Sequence, residues 1–203
     1  MAGGAPPRYN ICPGQQVLTL GYDRSGQCVT RPAHWGFHPH WLPSSRRSPI
    51  NARVEGAEQR PLFRRACHNG RCLVPADGWF EWQARASGPK LPYFFHLADD
   101  ALFFFAGIAA RGADGTPTLA ILTRDADAES AAVHTRMPVA LGNDTLASGW
   151  LEAGSAQEAL ALASTAEAPR LIIEPVSRRV NRPEHDDPAC VRPLEQADGA
   201  AEE

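Results

Sequence analysis

The 203-residue chain predicts a single α+β domain: a mostly antiparallel, barrel-like β-sheet with a few peripheral helices. Three observations carry that prediction. Segments of strand length, alternating or apolar, recur between turn residues from Gln15 to Ala126 and again at 170–177. Helix-like patterns are few, at 53–67 and between residues 128 and 164. No linker and no internal repeat divides the chain. The domain is expected to fill residues 1–183, and an acidic, Ala-rich tail, residues 184–203, is expected to fray.

In order along the chain, QQVLTLGYD (15–23) alternates as a strand, DRSGQ turns, and CVTRPAHWGF (28–37) returns as its hairpin partner. Three prolines and a Ser/Arg run make HPHWLPSSRRSPI (38–50) a loop. Residues 53–67 read as a helix on which Leu62 and Ala66 share a face, with Pro61 at its start or breaking it. CLVPADGWFEW (72–82) reads as one strand with a turn or bulge at Asp77-Gly78. Hairpin loops at 85–90 and 111–117 then separate strands at 91–98, 101–110 and 118–126. The near-continuous apolar run of the middle one implies burial on both faces. A short helix is expected over 128–136, ending before Met137-Pro138. Two more follow at 143–153, opened by a capping Asn/Asp, and 155–164, and RLIIEPVS (170–177) is the last strand.

Composition excludes several classes. No stretch approaches the roughly 18 apolar residues of a membrane helix, and MAGGAPPRYN lacks the basic and apolar regions of a signal peptide. A cytoplasmic monomer without membrane contact is therefore expected. The five cysteines contain no CxxC, which favours reduced thiols, and Cys67, His68 and Cys72 lack a second ligand pair for zinc, so no cofactor or metal is expected. Charge is uneven. Residues 1–90 carry twelve Arg/Lys against five Asp/Glu, 91–183 seven against eleven, and 184–203 one against seven. All basic residues but Lys90 are Arg, which suits bidentate phosphate contacts, although a GC-rich genome would produce the same Arg/Lys ratio.

Three segments place polar residues in strand-like contexts. In INARVE (50–55), Asn51, Arg53 and Glu55 share one face of an extended chain and could orient an anionic substrate; a solvated face with a salt bridge is the plainer reading. In DGWFEW (77–82), Glu81 stands among three aromatics that would desolvate it and raise its pKa toward working pH, unless it faces water on an edge strand. In HTRMP (134–138), Pro138 forces extended backbone before it and could aim His134 and Arg136 into a cleft; a surface histidine is the alternative.

RYNICPGQ, WGFHPHW, INARVE, CLVPADGWFEW, HTRMPVAL and EPVSRRVN, in this order and spacing, resemble the SRAP family of SOS response-associated peptidase-like, or abasic-site processing, proteins. The resemblance runs from about Arg8 to Asn181. It implies a protein that captures abasic sites in single-stranded DNA: an N-terminal cysteine exposed after Met1 is removed attacks the ring-opened aldehyde through its α-amine, and its thiol closes a thiazolidine. It also implies self-processing peptidase activity and association with the nucleoid. By resemblance, Asn51 positions the amine, Glu81 is the acid/base for ring opening and Schiff-base formation, and His134 acts on the ring and on reversal of the crosslink. Arg53 and Arg136 would contact phosphate, and Trp35 and Trp41 would stack on exposed bases.

The chain departs from the family at its start, which reads Met1-Ala2-Gly3-Gly4 with seven residues before Arg8. Either the true Met-Cys lies upstream, or this is a diverged member that shields damage without reacting. Cys12 has no adjacent free amine and is expected to be structural. An Ala2 amine freed of Met1, pKa about 8, could form a Schiff base that, without a thiol to trap it, would reverse or break the strand by β-elimination. A general thiol peptidase is disfavoured for want of a Cys/His pair.

Overall fold

The computed structural model describes residues 6–194, except Arg24 and Asp100. Among these, eleven strands and three α-helices form the mixed α/β domain that was expected. β1 (Gln16–Tyr22) and β2 (Cys28–Trp35) make the first hairpin, its turn held by Asp23, whose carboxylate accepts from the amides of Ser25 and Gln27. β3 (Asn51–Arg53), β4 (Arg71–Ala76), β7 (Phe103–Arg111) and β8 (Pro117–Asp125) extend that sheet. Strand order β7-β4-β1-β2-β8, with β8 pairing back to β7, closes a ring. Most pairings are antiparallel; β8 pairs parallel with β2 and with β3. β9 (Arg136–Pro138) and β10 (Ala140–Leu141) line the ring at β8 and β7. A second sheet runs β11-β6-β5, from Leu171–Pro175, Leu91–Leu97 and Gly78–Gln83.

β7 is buried on both faces, as the FFFAGIAA run implied, and so is β8, whereas β1 and β2 of the same ring are largely exposed. Ala106, Ile108, Ala120 and Leu122 face one core with Phe37, Phe63 and Trp150; Phe103, Phe105, Leu119 and Ile121 face another with Trp79 and Phe95 of the second sheet. Helices α1 (Pro61–Asn69), α2 (Asp144–Glu152) and α3 (Ala156–Thr165) cover the first core. Asn143 and Ser155 cap α2 and α3 by accepting from the amides of Leu146 and Glu158. Arg71 gathers the carbonyls at two helix ends, those of Cys67 and His68 in the last turn of α1 and of Trp150, Leu151 and the cap residue Ala153 at the end of α2.

Four expectations are corrected. Residues 72–82 are not one bulged strand but two strands in different sheets, β4 and β5. At Gly78 a β-carbon would collide with the Phe94 ring and lie 2.6 Å from the Phe95 carbonyl oxygen, so the crossing needs glycine. The 53–67 helix is a 3-10 turn (Val54–Gly56) followed by α1, because Pro61 occupies the first helical turn and starts a new helix. The 128–136 helix is a single 3-10 turn (Ser130–Ala132) leading into β9; Asp127 caps it through the Ser130 amide, and no second turn follows.

The fourth correction concerns the acidic tail. From Glu184 to Leu194 it packs against the domain: Val176 bridges Pro193, Cys190 is fully buried, and Asp186 accepts from Arg8 and from the amides of Tyr9 and Asn10. Asn10, 4% exposed, donates its amide to the carbonyls of Val180, Arg182 and His185. Hydrogen-bond satisfaction, not local hydropathy, orders this segment. Residues 195–203 lie outside the described residues.

Candidate active site

β5 alternates its side chains between two faces. Trp79, Glu81 and Gln83 share one, Phe80 and Trp82 the other. The neighbours in sequence are therefore not the aromatics that enclose Glu81. Trp79 stacks on Phe95 at 4.9 Å and meets Phe103 and Phe105 edge-on, which roots this face in the core. Tyr93 stands opposite Glu81 on β6. The Glu81 side chain is 23% exposed. Burial pushes its carboxyl above the usual carboxylate value, while the nearby His134 and Lys90 charges pull it down by less.

His134 arrives from the turn between β8 and β9. Its Nδ1 lies 3.8 Å from Glu81 Oε2, and the side chain is 42% exposed. The same nitrogen lies 2.9 Å from the Arg136 carbonyl oxygen and 3.2 Å from the Arg136 amide nitrogen. Bare Nδ1 can accept from that amide; protonated Nδ1 can donate to that carbonyl. The Arg136 backbone thus serves both protonation states without moving the ring.

The INARVE segment reaches the same place through Glu55, whose carboxylate takes a two-pronged bond from Arg136 at 2.8 Å on each oxygen. Asp125, at 2.6 Å, and the Thr123 carbonyl, at 2.7 Å, occupy the guanidinium further. Arg136, expected to contact phosphate, is therefore bound within the protein by two carboxylates. The Arg136 hydrogen bonds hold the Glu55 carboxyl below its usual value, and burial opposes this by less. Asn51 and Arg53 stand on the exposed face of edge strand β3, with Ala52 buried between them. Among the described residues, neither side chain makes a hydrogen bond. The structure thus joins INARVE to HTRMP through Glu55 and Arg136, and DGWFEW to HTRMP through Glu81 and His134.

The two tryptophans differ. Trp35 is half-buried and donates its indole N–H to the Ile50 carbonyl, fixing the end of the 38–50 loop. Trp41 is 50% exposed. It lines an open cavity of about 730 Å3 with Leu42, Arg46, Arg47 and Leu62. Cys67 and Cys72 are core residues whose thiols burial raises to about 11 and about 12, and Cys12 is half-buried with its thiol also raised by burial. Ala2 and its amine lie outside the described residues.

Residue-by-residue reading missed Gln83, which donates from Nε2 to the Ala132 carbonyl at 2.7 Å and so links β5 to the His134 turn. Its period-two spacing from Glu81 was the available signal.

The family model for SOS response associated peptidase (SRAP) matches residues 2–183. The chain is 32% identical over 193 residues to abasic site processing protein YedK of Escherichia coli (strain K12), covering 92% of this chain and 85% of the relative. It is 34% identical over 148 residues to abasic site processing protein YoaM of Bacillus subtilis (strain 168), covering 70% of this chain; the match spans only 65% of the length of YoaM. Among solved structures, a phage-related protein from Bordetella bronchiseptica aligns with a TM-score of 0.71 at 37% identity, covering 85% of this chain and 83% of that one. A Bacteroides thetaiotaomicron protein aligns with a TM-score of 0.77 at 24% identity over 90% of this chain and 82% of that one, a likeness of fold alone. This chain belongs to the SRAP family.

Proposed function

We propose that this protein binds single-stranded DNA at abasic sites, and that Glu81 and His134 are the acid–base pair that acts on the abasic sugar. The observation that carries this reading is a carboxyl mostly removed from water, raised by that burial, and 3.8 Å from a histidine open to solvent on its other side. Protonated Glu81 gives its proton to the ring oxygen of the closed sugar as the C–O bond breaks, and the anomeric hydroxyl proton leaves to His134, producing the open-chain aldehyde. When an amine then adds to that aldehyde, its nitrogen returns a proton to the Glu81 carboxylate and His134 gives its proton to the alkoxide, so that Glu81, an acid again, protonates the carbinolamine hydroxyl. Water departs as the C=N bond forms. Arg53 and Asn51, exposed beside the site, are proposed to hold the flanking phosphate and the attacking amine. Trp41 is proposed as the surface on which an unpaired base stacks. Arg136 is assigned instead to shaping the His134 turn, since two carboxylates already hold it.

The test is borohydride trapping on an abasic single-stranded oligonucleotide, beside a binding measurement on the same oligonucleotide. Glu81→Gln should lower the trapping rate by about 100-fold or more and leave affinity nearly unchanged. A variant that reacts like the parent removes Glu81 from the mechanism. A parent that binds but is never trapped makes the protein a shield for damaged single strands rather than a reactive enzyme.

A further inference from the structure

We propose that Gln83 is a positioning residue that sets the spacing between Glu81 and His134; the proposal rests on reading those two as the reacting pair. Glu81 belongs to the three-stranded sheet, whereas His134 sits on a turn of the ring between β8 and β9. Two separate sheets must therefore present two side chains at a set distance. The turn organises itself through Asp127 with the Ser130 amide, Ser130 with the His134 amide, and Thr135 with the Ala126 amide. None of these bonds ties it to β5.

Gln83 supplies the tie. Two residues beyond Glu81 and on the same face, its Nε2 donates to the Ala132 carbonyl at 2.7 Å, two residues before His134. Its Oε1 accepts from the Tyr93 hydroxyl at 3.2 Å, and Tyr93 is the cross-strand partner of Glu81. The Tyr93 bond orients the amide, because a hydroxyl proton on the oxygen leaves the NH2 to face the carbonyl. Apart from Glu81 itself, this is the polar contact among the described residues that runs from β5 to the His134 turn. Trp79, Val133 and Met137 also belong to one apolar cluster, which resists separation but does not fix a distance between polar atoms. At 3.8 Å the pair is wider than a hydrogen bond and both groups must reach the same sugar, so a small further displacement takes one of them out of reach.

Gln83→Met tests this, since methionine keeps the length and the cover over Glu81 but can neither donate to Ala132 nor accept from Tyr93. The groups facing Glu81 are His134 from the turn, Lys90 from the hairpin end and the Tyr93 hydroxyl from β6, with Arg136, Glu55 and Asp125 behind His134. In the free protein, the Glu81 carboxyl followed by carbon NMR should titrate at higher pH in the variant, because the histidine that draws it down is no longer held near. Trapping on abasic single strands should slow by about 10- to 100-fold, with affinity for intact single strands unchanged. Tyr93→Phe, which leaves the amide but frees it to rotate, should move both readouts in the same direction by less. An unshifted Glu81 titration in both variants, each folded by circular dichroism, overturns the proposal. The titration is read without DNA. A parent protein inert toward abasic sites would therefore remove the proposed function while this result still stood or fell by itself.

Discussion

At Glu81 the folded state holds a proton more tightly than the unfolded chain does, because burial penalises the carboxylate. The sign of the consequence follows from linkage. Stability is undiminished below the ordinary carboxyl value of 4.5 and declines as pH rises through the folded value. Glu81→Gln removes that decline. The variant should melt above the parent at pH 7 and level with it near pH 4; a gain of about 2–4 °C corresponds to about 1 kcal/mol in a chain of this size. Glu55 has the opposite sign. Its folded value is lowered by Arg136, so its contribution is present above 4.5 and fades as the pH falls through the folded value. Glu55→Gln should therefore melt below the parent at pH 7, by about 0.5–1 kcal/mol given that this carboxylate is 43% exposed, with the gap closing in acid. Thermal melts of both variants from pH 4 to pH 8 check the pair. Two curves moving in the same direction with pH would contradict the assignment of burial to one residue and ion pairing to the other.

At the scale of elements, the chain was legible where local chemistry decides and illegible where distant partners do. The β1–β2 hairpin announced itself through alternation and DRSGQ, and α2 and α3 through Asn143 and Ser155, because turns and caps are made by neighbours in sequence. The interruption at Asp77-Gly78 was visible, but that it sends β4 and β5 into different sheets was hidden, since this depends on Phe94 and Phe95 crowding Gly78 from another strand. The site was legible as three segments and not as one place. INARVE and HTRMP are 78 residues or more apart, and only the fold puts Glu55 on Arg136. The ordered tail was missed for the same reason. An acidic stretch reads as solvated until Asn10 and Asp186 are seen to close it against the N-terminal arm. That clasp is testable. Asn10→Ala strips a buried donor from three carbonyls and should cost about 1–3 kcal/mol. It should also free the segment holding Arg178, Arg179 and Arg182, so that trypsin cuts there before the core unfolds; cleavage no faster than in the parent would show that Asp186 alone suffices.

Across the whole molecule, charge is arranged rather than balanced. Basic residues dominate the first ninety positions while the chain as a whole is net −3. In the structure Arg46, Arg47, Arg53, Arg60 and Arg65 are exposed and make no side-chain bond among the described residues, whereas Arg8, Arg71, Arg136 and Arg179 are held by internal partners. Sequence counts cannot separate these two groups; the fold does. These arginines gather on the 38–50 loop, on β3, and at the N-cap and middle of α1, the region that also presents Trp41. If unpaired DNA runs across this region, neutralising Arg46 and Arg47 should weaken binding and flatten its salt dependence. Each lost phosphate contact on a single strand removes about 0.7 from the slope of log K against log salt, so the double alanine variant should lose about 1.4. Trp41→Ala should act differently: a stacked base contributes about 1–3 kcal/mol without releasing counterions, so affinity falls at every salt concentration while the slope is kept. A double variant whose slope matches the parent would move the DNA path off this loop, and the stacking role of Trp41 with it.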